Sequence, residues 1–129
     1  MNYGMTTRVR APFAETVGRV RAALTDQGFG VLTEIDVRAT LHDKLGEEME
    51  DYLILGACNP PLAHQALEVD RRIGLLLPCN VVVRADGDHT LVEALEPQVM
   101  VGVSGQSALE PVAEEATRRL TAALEELRS

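Results

Sequence analysis

Aromatic residues are nearly absent from this chain of 129 residues. They make up 3% of it, and tryptophan is missing altogether. Basic residues are also few, since 12 Lys plus Arg stand against 20 Asp plus Glu and give a formal net charge of -8 at pH 7. A chain with this charge and few stacking side chains repels phosphate backbones and anionic lipid surfaces. We therefore expect neither nucleic acid nor a membrane as a partner.

Long hydrophobic runs and cysteine-rich motifs are missing as well. No apolar run approaches the roughly 20 residues of a membrane span, and the first residues lack the basic and apolar regions of a signal peptide. The chain has two cysteines, Cys58 and Cys79. Without a signal peptide, they are expected to be thiols in a reducing compartment and not a disulfide framework. The sequence therefore predicts a cytoplasmic protein.

The overall composition of the chain is that of an ordinary globular protein. Hydrophobic residues make up 46% of the chain and charged residues 25%. A chain of 129 residues is long enough to bury one sizeable core, but a second independent core is not expected. We therefore predict a single domain over residues 1–129.

Apolar periodicity predicts five strands and four helices. The predicted strands cover residues 5–10, 31–37, 52–58, 75–84 and 90–96. The predicted helices begin at Pro12, near Leu41, at Pro60 and at Pro111. Residues 52–58 are apolar on both faces, which indicates a strand inside the sheet. Pro78 has no amide hydrogen for a ladder, so the regular part of the fourth strand is expected to start near Cys79.

Local signals predict how these elements begin and end. Gly28 is expected to end the first helix and Gly74 the third, because glycine readily adopts the left-handed conformation. Thr40 with Asp43 resembles a capping box for the second helix. Residues 97–108 carry valines and a methionine among glycines and serines. We expect them to form a loop that is too apolar to be solvated.

The order of elements predicts an α+β fold with a mostly antiparallel five-stranded sheet and helices on one face. Residues 85–88 form a tight turn by composition, so strands two to five are expected to be a meander. The other face would be solvated, covered by the apolar loop, or paired with a second subunit. Because exposed apolar segments usually mark contact sites, we expect a homodimer through the sheet or the loop near Met100.

Two Cys-Asn pairs mark the candidate binding site. Cys58 and Asn59 end the third predicted strand, and Cys79 and Asn80 begin the regular part of the fourth. If these strands are antiparallel neighbours, the two pairs lie at one edge of the sheet and the thiols come together. Cys58 also precedes a helix start, where amide dipoles favour the thiolate. Plainer roles are a helix cap for Asn59 and two small buried hydrophobes for the cysteines.

The sequence predicts no metal site, no cofactor and no conventional catalytic triad. The two thiols with His64 have neither CxxC nor HxxxH spacing, and the helix pattern turns His64 partly away from the core. His42 and His89 fall in polar segments and are expected on the surface. There is no GxSxG motif for a hydrolase nucleophile.

Two stretches carry a family resemblance. The run Leu55-Gly-Ala-Cys58-Asn-Pro60 and the later run Ile73-Gly-Leu-Leu-Leu-Pro78-Cys79-Asn80-Val-Val resemble the core signature of a bacterial and archaeal family, domain of unknown function 302. The resemblance extends more weakly from Gly28 to the C-terminal helix. It implies a fold similar to that of the TATA-box-binding protein, which is a curved antiparallel sheet with helices on one face, and it implies a dimer. It implies no established activity, substrate or cofactor.

These observations lead to one functional expectation and two alternatives. We expect a small-ligand binding module whose pocket lies near Cys58, Asn59, Cys79 and Asn80. The first alternative is a thiol-dependent redox or hydrolytic enzyme that uses Cys58 as its nucleophile. The second is a structural homodimer whose cysteines are buried and inert.

Overall fold

A computed structural model describes residues 2–128 of the chain as an antiparallel sheet packed against helices. The strands are β1 (Gly4–Val9), β2 (Gly30–Asp36), β3 (Tyr52–Cys58), β4 (Cys79–Asp86) and β5 (His89–Leu95). The helices are α1 (Phe13–Asp26), α2 (Val37–Leu45), α3 (Pro60–Val69), α4 (Gln98–Ser104) and α5 (Glu110–Glu126), with 3₁₀ segments at Arg71–Leu76 and Ser107–Leu109. The sheet is open and has the order β1-β5-β4-β3-β2. The predicted α+β fold, with extra helices between strands two and three and between three and four, is confirmed.

The central strands have the bounds that their side chains predict. β3 covers residues 52–58 and pairs with β2 on one side and β4 on the other, so it is an internal strand of the sheet, as predicted. β4 begins at Cys79, one residue after Pro78, as the missing amide hydrogen of proline requires. β5 follows through a tight turn at Gly87, which has a positive φ of 62°. The meander of strands two to five is therefore confirmed.

One face of the sheet forms the main core with α1 and α5. Alternate residues of each strand point to this face, and Leu55, Val83 and Val92 are fully buried there. Helix α1 contributes Val20 and Leu24, while α5 contributes a separate stripe that faces them. The full set of buried residues in the main core is Val9, Ala11, Val20, Ala23, Leu24, Phe29, Leu55, Ala57, Val81, Val83, Val92, Ala94, Leu120, Ala123 and Leu127.

A second cluster lies beside the main core. It is formed by α3, α4, α5 and the two 3₁₀ segments, and its buried residues are Ala66, Ile73, Met100, Leu109 and Val112. Helix α5 is long enough to take part in both regions, since Val112 near its start belongs to the second cluster and Leu120 farther along belongs to the main core.

The segment that was expected to be an apolar loop, residues 97–108, is largely helical. Its helix α4 begins after Pro97, where the Glu96 carboxylate accepts a hydrogen bond from the Gln98 amide at 3.2 Å. It ends at Gly105, which has a positive φ of 70°. Met100 is 3% exposed and packs in the second cluster. The prediction of a loop is wrong because burial of this apolar stripe outweighs the low helix propensity of its glycine, serine and valines.

Two predicted helix boundaries also differ. Helix α2 is capped by Asp36, whose carboxylate accepts from the Ala39 amide at 2.9 Å, and not by the Thr40 pair. Helix α3 ends at Val69, and Gly74 lies inside the following 3₁₀ segment. Asp70 caps that segment by accepting from the Arg72 amide at 3.0 Å. In both cases the boundary lies at an aspartate that caps the element following it, which is α2 for Asp36 and the 3₁₀ segment for Asp70.

The opposite face of the sheet, which we call the open face, is not covered by the helices of the main core. Ile35, Ile54 and Val82 form one row across three strands on this face. Ile35 is 49% exposed, and the other two are partly buried. None of the helices in residues 2–128 is long and apolar enough to cross a membrane.

Candidate functional site

The end of β3 and the start of β4 bring three of the four predicted residues to one cavity. The ladder pairs Ala57 with Cys79, so Cys58 lies on the neighbouring strand one residue beyond the pair. Asn59 follows directly and begins α3. Cys58, Asn59 and Cys79 all line the same cavity, whose volume is about 240 Å³.

Asn80 is the residue that the structure separates from this group. It is exposed, whereas Cys79 before it and Val81 after it are buried. Successive side chains of a strand point to opposite faces, so the step from Cys79 to Asn80 crosses the sheet to the open face. The expectation that Asn80 lines a pocket shared with Cys79 did not account for this alternation.

The cavity lies between the main core and the second cluster, and its walls are almost entirely apolar. Apart from Cys58, Asn59 and Cys79, the lining side chains are Phe29, Leu32, Ala57, Leu62, Ala63, Ala66, Leu77, Pro78, Met100, Val112 and Ala116. No charged residue is among them. Within residues 2–128, no buried side-chain nitrogen or oxygen lacks a hydrogen-bond partner, so this wall presents no unsatisfied polar atom.

Exposure distinguishes a floor from a mouth in this cavity. Ala66, Met100 and Ala116 are 1%, 3% and 4% exposed and form the floor. Leu32 is 67% exposed and Cys58 partly exposed, so both lie at the mouth. Leu32 reaches this position because the β2–β3 register shifts around it, and such a bulge redirects a side chain.

Asn59 fixes the wall where α3 begins. Its side-chain oxygen accepts from the Leu62 amide at 3.3 Å, and Pro60 occupies the first turn, so the predicted helix cap is confirmed. Asn59 is 7% exposed. Opposite it, a Cβ on Gly28 would lie 3.2 Å from Asn59 Nδ2 and 3.2 Å from Arg119 Nη1. Gly28, with a φ of +83°, therefore suits both the left-handed turn and this close approach.

The two thiols differ in environment. Cys79 is 9% exposed, and burial raises its pKa from 9.0 to about 11, with a smaller contribution from nearby Cys58. It is therefore protonated at neutral pH and a poor nucleophile. Because Cys58 is diagonal to Cys79 and not directly opposite it, the ladder does not place the thiols face to face. Any thiol chemistry at this site thus falls to Cys58, which is partly exposed.

The histidines lie outside the cavity. His64 is 75% exposed on α3 and faces Glu68 at 3.5 Å, as its position in the helix predicts. His42 is 59% exposed, whereas the side chain of His89 is only 24% exposed and accompanies Asp88 in the β4–β5 turn. Across residues 2–128, no group of three or more His, Cys, Asp or Glu side chains is arranged to hold a metal ion.

Comparison with known proteins agrees with this fold. The model of the family described as domain of unknown function DUF302 matches residues 5–127. The chain belongs to this family. It is also similar to a solved structure, the crystal structure of uncharacterized conserved protein DUF302 from Bacillus stearothermophilus, with 30% identity and a TM-score of 0.92. That match covers 99% of this chain and 100% of the other. No curated protein matches this chain. The resemblance carried by the two Cys-Asn stretches is therefore confirmed.

Sequence reasoning missed most of the cavity of this DUF302 domain. Phe29 lies before β2, Met100 in α4, and Val112 and Ala116 in α5, so residues far apart in the sequence meet at one place. Gly56 was also missed, although a Cβ there would lie 2.9 Å from Pro78 Cγ and closer still to Thr33 Oγ1. Only the apolar character of residues 97–103 signalled that this segment has a buried role.

Proposed function

We propose that this DUF302 domain is a small-molecule binding module whose ligand occupies the cavity beside Cys58, Asn59 and Cys79. The observation that carries the proposal is an apolar cavity of about 240 Å³, with a mouth, at three of the four residues that the sequence singled out. Ligand sites are usually preformed apolar clefts of roughly 300–1,000 Å³, so this one suits a small ligand.

The apolar lining of the cavity, and not its volume alone, argues against an ordinary packing irregularity, because two larger surface clefts of about 420 and 430 Å³ are lined in part by charged residues. Natural protein interiors contain few voids larger than a water molecule. The main core follows this rule, since the gap between α1, α5 and the sheet is about 10 Å³. The cavity beside Cys58 is more than twenty times larger than this gap, although helix α5 borders both. A binding function explains why the cavity stays open.

A thiol-dependent enzyme is the second candidate. It is favoured by one observation, the partial exposure of Cys58 at the mouth of the cavity beside the start of α3. In this proposal Cys58 acts alone as the nucleophile, because Cys79 is buried with a raised pKa. An inert structural role for both cysteines is the third outcome that experiments have to distinguish.

The binding proposal is tested by a ligand-observed NMR screen of small fragments against the unmodified domain. Ala66→Leu fills the floor of the cavity, whereas Ala22→Leu adds the same atoms to an exposed position of α1. We expect fragments that bind the unmodified domain and the Ala22→Leu variant but not the Ala66→Leu variant. If no fragment binds, or if the same fragments bind equally well to the Ala66→Leu variant, the cavity is not a binding site.

Cys58→Ser separates the binding module from the thiol enzyme. A binding module retains its fragments in this variant, because an apolar cavity supplies most of the affinity. Covalent modification of Cys58 by a fragment, abolished in Cys58→Ser and absent at Cys79, would support the enzyme instead. Alkylation of neither thiol until the protein is unfolded would favour the inert structural role.

We further propose that the domain is a cytoplasmic homodimer and that its open face is the interface. Of the two surfaces expected from the sequence, the segment near Met100 keeps Met100 itself in the second cluster and exposes Val103, whereas the sheet presents an apolar row across three strands, so we choose the sheet. The row Ile35, Ile54 and Val82 supplies apolar surface. Two ion pairs on the same face, Arg84 with Glu93 and Arg8 with Asp86, balance its charge.

This charge balance favours a second copy of the chain as the occupant. A chain with a net charge of -8 repels its own copies at most surfaces, whereas a neutral apolar patch brings them together without repulsion. We expect a dimer by sedimentation velocity at micromolar concentration, and a monomer for Ile54→Glu. Leu75→Glu, at a position 79% exposed in the 3₁₀ segment Arg71–Leu76, is the control that stays dimeric. A monomeric unmodified protein contradicts this proposal.

A further inference from the structure

The walls of the cavity restrict the charge of its ligand. None of the residues lining it is charged, and the one buried polar side chain among them, Asn59, uses its oxygen to cap α3. A carboxylate or ammonium group inside would lose its hydration without gaining a counter-ion, which weakens its binding. The part of the ligand that enters is therefore neutral and apolar.

The volume of the cavity restricts the length of that part. An apolar cavity of about 150 Å³ binds benzene, which has six non-hydrogen atoms, so about 240 Å³ corresponds to roughly eight to ten such atoms. An apolar group of about eight non-hydrogen atoms fills the space. A flexible chain suits it well, because Met100 on the floor is an adaptable side chain.

The difference between floor and mouth sets the orientation. Ala66, Met100 and Ala116 at the floor offer only apolar contact, and all three are almost completely buried. Cys58 and Asn59 lie at the strand–helix junction, where Cys58 is partly exposed. A ligand with one polar end therefore keeps that end at the mouth, beside Cys58 and water, and places its apolar end on the floor.

We infer that the cavity takes the aliphatic chain of an uncharged molecule, about eight non-hydrogen atoms long, with its polar end at Cys58. This inference rests on the proposed binding function and specifies the class of its ligand. It excludes nucleotides, sugars and short charged metabolites as occupants of the cavity, because they are too polar for its walls.

The test measures the dissociation constants of straight-chain alcohols from butanol to nonanol by NMR titration of the unmodified domain. Each added methylene buries more apolar surface, so we expect the affinity to rise about fourfold per methylene and then to level off near octanol. Octanoate at neutral pH tests the charge, because no cationic side chain lines the cavity to pair with a carboxylate at its mouth and the chain has a net charge of -8, and we expect it to bind at least tenfold more weakly than octanol. In Ala66→Leu the plateau moves to shorter chains, whereas in Ala22→Leu it does not.

The outcomes separate this inference from the proposal that it rests on. Suppose that fragments bind in the cavity but that the affinity of the alcohols does not depend on chain length, or that octanoate binds as well as octanol. The inferred ligand class is then wrong, whereas the proposed binding function is retained. If neither fragments nor alcohols bind, both are wrong. The chain-length series needs no variant, so it decides the question even where Ala66→Leu does not fold.

Discussion

The main core and the cavity beside it are lined by the same kinds of side chain, but one is closed and the other open. Both contain alanines from α5, namely Ala123 in the main core and Ala116 at the cavity. In the main core the alanines meet large partners such as Leu24 and Leu120, and the remaining gap is about 10 Å³. At the cavity Ala116 and Ala66 line the same floor, and about 240 Å³ stays empty.

This difference shows that open space in a protein is set by the pairing of side chains and not by their polarity. A core closes when large residues of one element fill the spaces that small residues of another leave. The elements around the cavity combine small residues on α3 with small residues on α5. Four predictions test how far the contrast holds.

The largest effect is expected from truncating a leucine of the main core. Leu55 on β3 is fully buried, so Leu55→Ala removes apolar contacts and leaves a void that the sheet cannot fill. We expect it to lower the free energy of unfolding by about 2–5 kcal/mol in urea denaturation. Leu62→Ala at the partly exposed cavity wall is the matched substitution and should cost under about 2 kcal/mol. Equal losses would mean that the two regions are equally packed.

The second effect concerns the thiol at the boundary between the two regions. Burial raises the pKa of Cys79 from 9.0 to about 11, so the folded protein keeps a proton that the unfolded chain releases between these values. The stability contributed by the neutral thiol is therefore complete below pH 9 and is lost as the pH rises to about 11, by an amount on the order of 2–3 kcal/mol. Denaturation of Cys79→Val, which carries no titrating thiol, should show a shallower fall over this window. Parallel pH profiles would place Cys79 in a solvated environment.

Overpacking distinguishes the closed region from the open one. Ala23→Leu adds three carbon atoms to the main core at a residue that is 1% exposed, and we expect a loss of about 1–3 kcal/mol. Ala66→Leu makes the same change at an equally buried residue that faces the cavity, where the added atoms have space. Its free energy of unfolding should stay within about 1 kcal/mol of the unmodified protein. A large loss in Ala66→Leu would show that the cavity is not free to accept apolar atoms.

The smallest effect is expected at the cap of α3. Asn59→Ala removes the acceptor of the Leu62 amide and should lower the stability by about 1 kcal/mol. Asn59→Asp keeps an acceptor oxygen at the same position and is expected to retain most of this stability. If the alanine and aspartate variants denature alike, the cap contributes little.

The strands of this fold follow from the sequence because their signals are local. Alternating or continuous apolar runs between turn residues give β3 with its observed bounds and β4 from Cys79. Asn59 and Pro60 likewise give the start of α3 from neighbouring residues alone. Helix α4 was missed because what stabilises it is burial of Met100 against other elements, which no window of the sequence contains.

Only part of the candidate site was predicted, because only part of it depends on local sequence signals. Cys58, Asn59 and Cys79 were predicted to lie together because, in adjacent antiparallel strands, the end of one strand lies beside the start of the next. Asn80 was predicted to line the pocket because it follows Cys79 in the sequence, but the alternation of the strand places it on the open face. The floor of the cavity, with Ala66 and Ala116, depends on how two helices pack, and small residues carry no periodic signal of their own.

The position of β1 has a consequence for the newly made chain. In the sheet of residues 2–128, this strand pairs with β5 alone, with Val9 opposite Thr90 and Gly4 opposite Leu95. Within this domain, β1 therefore has no partner strand until β5 has been synthesised. At about 5–20 residues per second, that interval is on the order of 4–20 s. Because β2 to β5 pair with neighbours in the sequence whereas β1 pairs with the last strand, we expect β1 to join the sheet after β5.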